Sequence, residues 1–345
     1  MILWLSALSS QAETLRIATY DVELSQRGPG LLYAAILKND PQVLAVQQVI
    51  AAAHPDILLL TGFDYDADLV ALTAFADGLA ALGQPYPHRF ARRPNTGMAT
   101  GLDLDGDGEL GGPGDAQGWG RYSGAQGMAV LSRYPVEATA ARDFSATLWR
   151  DLPGARLPDG MTADAAAVQR LSTTAHWDVP VAAPGGVIHL LAFAATTPVF
   201  DGPEDRNGLR NADEIGFWRA YLDGKLPWQP PADFVILGLA NLDPAKGSGR
   251  RNAIRALLSD PRLHDPAPES LGGGADTADF PEPDDPLKPG PGNLRVDYVL
   301  PSLSLSLQGA GVVWPAPDEP AQAALAAAVT TASRHRLVWV DVGLR

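Results

Sequence analysis

The stretch "FVILGLANLDP", residues 234–244, opens with Phe234, Val235, Ile236 and Leu237 in an unbroken apolar run that Gly238 closes. A short apolar run ended by a turn former reads as a strand covered on both faces, as in layered α/β sheets. The mouth of such a sheet ordinarily carries polar groups. Here the chain supplies Leu239 and Ala240 before its first polar side chain, Asn241.

Similar runs recur along the chain: "LRIATYD" (15–21), "DILLLTGFD" (56–64), "GMAVLS" (127–132), "GVIHLLAFAA" (186–195), "LRVDYVL" (294–300) and "RLVWVDV" (336–342). Helical patterns separate them. Asp40 before Pro41 reads as an N-cap and first helical residue ahead of "QVLAVQQVIAAA", and Leu69, Leu72, Phe75, Leu79 and Leu82 share one face of a second helix. Further helices are expected at 212–222, 252–258 and 320–332. Strands alternating with helices predict an α/β layered fold, with residues 15–345 as a single domain. Two long Gly/Pro/Asp stretches, near 101–126 and 265–293, read as surface insertions, because strand patterns resume after each.

The 345 residues are 46% hydrophobic, enough for a large core, and carry a net charge of −14. That charge argues against nonspecific binding to nucleic acid or anionic membranes. With no cysteine, thiolate metal sites and cysteine nucleophiles are excluded. The start, residues 1–14, has an apolar run from Ile2 to Leu8 followed by small polar residues, which reads as a short secretion signal and points to an extracytoplasmic location. No run reaches the roughly 18 apolar residues of a spanning helix.

Taken together, the order and spacing of the strand ends in "RIATYD", "DILLLTGFDYD", "HLLAFAATTPVFDGPEDRN", "FVILGLANLDP", "LRVDYVLPS" and "SRHRLVWVDV" resemble the endonuclease/exonuclease/phosphatase superfamily, the deoxyribonuclease-I-like fold. The resemblance implies a four-layer α/β/β/α sandwich of two packed mixed sheets. It also implies Mg²⁺ or Mn²⁺, a His/Asp constellation, and hydrolysis of a phosphate ester or nucleic acid. Hard cations want carboxylate oxygens, and charge developing on phosphorus needs donors such as His and Asn.

Position by position, the resemblance is uneven. Asp21 stands where the family has a metal-binding Asn, and Asn241, Asp297 and His335 match transition-state or catalytic residues. The metal-ligating Glu falls on Gly62, the family's histidine on Ala194, its nucleophile-orienting Asp on Leu239, and the Asp before the last histidine on Arg334. Losing one positioned acid, base or donor typically costs on the order of 10²- to 10⁴-fold in rate. The expectation is therefore a phosphoesterase site impaired or lost, in a protein that binds or scaffolds. The alternative is an active phosphodiesterase or phosphatase whose metal is held by Asp21, Asp64, Asp66 and Asp297, with His335 as acid/base and Arg334 replacing part of the metal's charge.

Other motifs admit two readings. "DLDGDGEL", residues 103–110, places Asp103, Asp105, Asp107 and Glu109 at alternate positions, like the start of an EF-hand-type Ca²⁺ loop. Gly114 takes the twelfth position and Asp115 follows, so the loop is either a Ca²⁺ site or a solvated acidic turn. Arg206 and Arg210 either clamp a substrate phosphate or form an ion-paired loop on the following helix. His176 and His189, within strand patterns, read as structural, and Trp177, Trp218 and Trp339 as core.

Overall fold

In the computed structural model, which describes residues 13–281, 290–316 and 318–344, the run 234–239 is a fully buried strand inside a five-stranded sheet. That sheet runs β11 (Asp297–Pro301), β8 (Phe234–Leu239), β7 (Gly186–Ala194), β6 (Ala175–Ala183) and β5 (Arg142–Asp143). It is mixed, with β7 and β8 parallel and the other pairs antiparallel. A six-stranded sheet runs β12 (Ser306–Val312), β13 (Val338–Gly343), β1 (Thr14–Leu24), β2 (Ile57–Phe63), β4 (Gly127–Ser132) and β3 (His88–Phe90). Only β1 and β2 pair in parallel there.

Period-two alternation assigns each strand face to its own layer. From β1, β2 and β4, Ile17, Leu59 and Val130 meet Trp177, Leu190 and Leu237 of the other sheet in a central core. The alternate residues Ala18, Leu58 and Leu60 turn outward under α1 (Leu31–Leu37), α2 (Pro41–Ala53), α3 (Val70–Ala81) and α7 (Ala323–Ala332). On the opposite outer face, Leu191, Phe193 and Ile236 pack under α5 (Arg206–Leu222) and α6 (Asn252–Leu258), and the short α4 (Ala163–Val168) buries no residue. The result is the expected four-layer α/β/β/α sandwich.

Local rules account for the boundaries. Asp40 caps α2 by accepting from the Gln42 amide at 2.9 Å, with Pro41 at the first helical position. Leu69, expected inside the second helix, sits in left-handed backbone just before α3. Gly238 is required: its φ is +134°, and a Cβ there would run into the Phe193 carbonyl of the neighbouring strand. The 265–293 insertion contributes a two-stranded ribbon, β9 (Ala278–Phe280) with β10 (Gly292–Leu294). The signal-like stretch at 1–14 lies outside the described residues up to residue 12. Among the described residues no helix is long and apolar enough to cross a membrane.

Candidate functional site

The matched strand ends converge at one end of the sandwich. Across the second sheet, Asp297 pairs with Leu239, and Leu239 with Ala194, so one carboxylate shares a row with two apolar side chains. Leu239 and Ala194 both belong to the central core, which they extend to the end of the sheet. Asn241, in left-handed backbone, is turned to the Ala195 carbonyl, to which its side-chain amide donates at 2.9 Å.

His335 and Asp297 are brought together as expected. His335 Nδ1 lies 2.9 Å from Asp297 Oδ2, which also accepts from the Thr277 hydroxyl. Asp297 Oδ1 is buried with no partner among the described residues. Burial by itself would lower the imidazole pKa, but the negative charges of Asp297 and Asp21 outweigh it and raise His335 to about 9. His335 is only 4% exposed, because the insertion ribbon covers it: Phe280 stacks edge-on at 5.4 Å, and Ala278 forms a bridge to it.

On the first sheet, Asp21 is next to the glycine that replaces the family's glutamate. Gly62 has φ +67°, and a Cβ there would overlap Asp21 Oδ1, so the aspartate carboxylate occupies the space in which a side chain at 62 would begin. The β1–β2 register shifts between Asp21 and Leu24, and Glu23 adopts left-handed backbone. Glu23 thereby meets Arg334: the guanidinium Nε donates to Oε1 at 2.8 Å, and the Arg334 amide to Oε2 at 2.7 Å. Burial pushes the Glu23 pKa up, yet these Arg334 bonds more than reverse it. Asp21 itself is raised by burial, against the opposing pull of His335. Ser333 closes the cluster by donating to the Asp21 carbonyl at 2.8 Å.

The other expected metal ligands are engaged elsewhere. Asp64 accepts from the Ser25 hydroxyl and Gln26 amide, each at 2.7 Å, from the Gln126 amide at 3.1 Å, and from the Tyr122 hydroxyl. Asp66 accepts from the Val70 and Ala71 amides at the start of α3. Arg206 donates to the Leu104 carbonyl and to Gln169. Arg210 is buried and donates to the Leu171, Gln117, Arg170 and Ser172 carbonyls, with burial lowering its pKa to about 10.

Among the described residues, the one set of three acidic or histidine ligand atoms mutually within 4.8 Å is Asp103, Asp105 and Asp115. Asp107 and Glu109 of the same loop are not in it. Asp115 is buried and accepts from the Leu104 amide at 2.7 Å and the Gly111 amide at 2.8 Å, which lower its pKa.

Sequence reasoning missed Glu23, Ser333, Thr277 and Phe280. Glu23 carried one signal, an acidic residue two positions after Asp21 at a strand end; the others had none in the sequence.

The fold is one that solved structures share. A comparison with curated proteins finds no match. Among solved structures, an endonuclease/exonuclease/phosphatase from Beutenbergia cavernae is 18% identical with a TM-score of 0.57, covering 96% of this chain and 72% of that one. A family protein from Leptotrichia buccalis is 14% identical with a TM-score of 0.54, covering 95% of this chain and 99% of that one. Sphingomyelinase C from Streptomyces griseocarneus is 17% identical with a TM-score of 0.50, covering 95% and 99%. At these identities the likeness is one of fold. The family model for Endonuclease/Exonuclease/phosphatase matches residues 19–335, all of the five-stranded sheet and all of the six-stranded one but β13 and the start of β1, and on that match the chain belongs to the Endonuclease/Exonuclease/phosphatase family.

Proposed function

We propose that this family member has lost the metal-dependent hydrolysis of phosphate esters and acts as a binding protein. The observation that carries this reading is the internal ion pairing of two of the three carboxylates at the strand ends, Glu23 and Asp297. Glu23 is neutralised by Arg334, and Asp297 by a protonated His335. Mg²⁺ dehydrates reluctantly and wants carboxylate oxygens that leave room for its waters, and here Asp21 keeps one carboxylate oxygen beyond the Glu23 amide while the open oxygen of Asp297 is buried. Two cationic side chains beside those oxygens repel a further cation. The residues present therefore do not fit the family's ion.

The same pairing bears on catalysis without metal. A histidine held protonated up to about pH 9 is a poor general base at neutral pH, and its ring is buried with Phe280 packed edge-on against it. Leu239 and Ala194 place apolar surface where a nucleophilic water would be held. The test is turnover of bis-p-nitrophenyl phosphate, p-nitrophenyl phosphate and plasmid DNA with Mg²⁺, Mn²⁺ or Ca²⁺. Equal rates for the unmodified protein and His335→Ala are expected; turnover lost in the variant overturns the reading.

A structural Ca²⁺ site at 103–115 is part of the same proposal. It is supported by the clustering of Asp103, Asp105 and Asp115, and calorimetry of Ca²⁺ binding with Asp105→Ala checks it. Export is proposed from the leader-like start, with cell fractionation as its test.

A further inference from the structure

Beside the paired cluster runs a groove with the opposite character. It has a volume of about 380 Å³ and is lined by Ser25, Gln26, Arg27, Trp119, Arg121 and Gln126. Its first wall continues directly from β1, the strand that carries Asp21 and Glu23. The second wall comes from the 101–126 insertion.

Among the described residues, Arg27 and Arg121 are the arginines whose side chains make no hydrogen bond or ion pair with another described residue. Elsewhere arginines are tied to carboxylates, carbonyls or, at Arg93, a hydroxyl, as Arg16, Arg262 and Arg295 are to carboxylates. In a chain of net charge −14, two free guanidinium groups lining one groove are a local reversal of sign. In the same groove Trp119 is 54% exposed, whereas Trp149, Trp177 and Trp218 are fully buried. An exposed indole in one groove with two guanidinium groups offers a flat stacking face together with planar donors for an oxyanion.

The groove is also held in shape before any ligand arrives. The Asp64 carboxylate accepts from Ser25 and Gln26 on one wall and from Tyr122 and Gln126 on the other. Gly120 is pressed against the Thr96–Gly97 backbone, where a Cβ would fall 2.7 Å from the Gly97 nitrogen. A rigid groove loses less entropy on binding than one that must be assembled.

We infer that this groove binds an oxyanion carried on a planar ring, with Arg27 and Arg121 on the oxyanion and Trp119 on the ring. Asp64 is a positioning residue. The inference deepens the reading of a binding protein by naming the ligand class, and it needs no metal.

Calorimetry in the presence of a chelator, at low salt, tests it with phenyl phosphate, benzoate, inorganic phosphate and phenol. Phenyl phosphate or benzoate is expected to bind more tightly than either fragment, and the tighter of the two names the oxyanion. Arg27→Ala with Arg121→Ala should weaken that ligand at least about tenfold. Trp119→Ala should weaken it severalfold while leaving inorganic phosphate unchanged, and Trp119→Phe should restore most of the loss. No heat from either ring-bearing anion, or equal binding by the arginine variant, overturns the inference. So does a dimer in sedimentation that the arginine variant dissociates, which would give the groove to a second copy of the chain. His335-dependent turnover would overturn the proposed loss of hydrolysis and leave the groove standing, so the two failures are distinct.

Discussion

The strand-end cluster and the neighbouring groove share strand β1 and differ in how their charges are used. In the cluster charges are paired inside the protein: Glu23 with Arg334, Asp297 with His335. In the groove Arg27 and Arg121 are exposed and without partners among the described residues, and the acidic residue, Asp64, is consumed in holding the walls. Charges that satisfy one another stabilise a fold, and charges left open are available to a ligand. The strand-end cluster is mostly in the first condition, and the groove is in the second.

The largest effect should come from restoring the family's carboxylate. Leu239→Asp puts an ionised group into the central core and removes a buried leucine, costing at least about 4 kcal/mol in urea unfolding, without gain of metal-dependent turnover. A mild cost together with new Mg²⁺-dependent activity would break the contrast, since it would mean the cluster still has room for the ion.

Asp297→Ala strands a buried, charged His335 and should cost roughly 3–5 kcal/mol by the same measurement. A related effect is set by pH. The folded pKa of His335, about 9, lies above its ordinary value of 6.5. Its protonation therefore stabilises the fold fully below pH 6.5, and this contribution is lost as pH rises to 9. Unfolding free energy should decline across that window by roughly 3 kcal/mol, and the decline should vanish in His335→Gln. A flat profile in the unmodified protein would show that the pair is not ionic.

Smaller, and specific to the groove, is Asp64→Asn. The amide keeps the shape but loses charge and one acceptor, at a cost of about 1–3 kcal/mol. Faster amide hydrogen exchange is expected at Gln26 and Gln126, with no change at His335. Exchange altered at both places would mean that the groove and the cluster are one unit.

The fold was legible because its strands are continuous apolar runs: 127–132 and 234–239 appear with the bounds their residues imply. β12, "SLQGAGV", was not, since this edge strand is built of small residues with only two buried. The short α1 was missed for want of a cap or a periodic face, whereas Asp40 and Pro41 announced α2. At the site, the Asp297–His335 contact followed from the family's order of motifs. The fate of Asp64 did not, because its partner Tyr122 lies 58 residues away and only the fold brings the hydroxyl to the carboxylate. Glu23 escaped notice because a register shift re-aims it, and no residue pattern encodes that turn.

The central claim is that the strand ends no longer hold a divalent ion, and electron paramagnetic resonance of Mn²⁺ reads this directly. In Asp105→Ala, which removes the acidic loop as a competing site, the account predicts no bound Mn²⁺ at millimolar concentration. Bound Mn²⁺ in that variant, released by a further Asp21→Asn substitution, would contradict it.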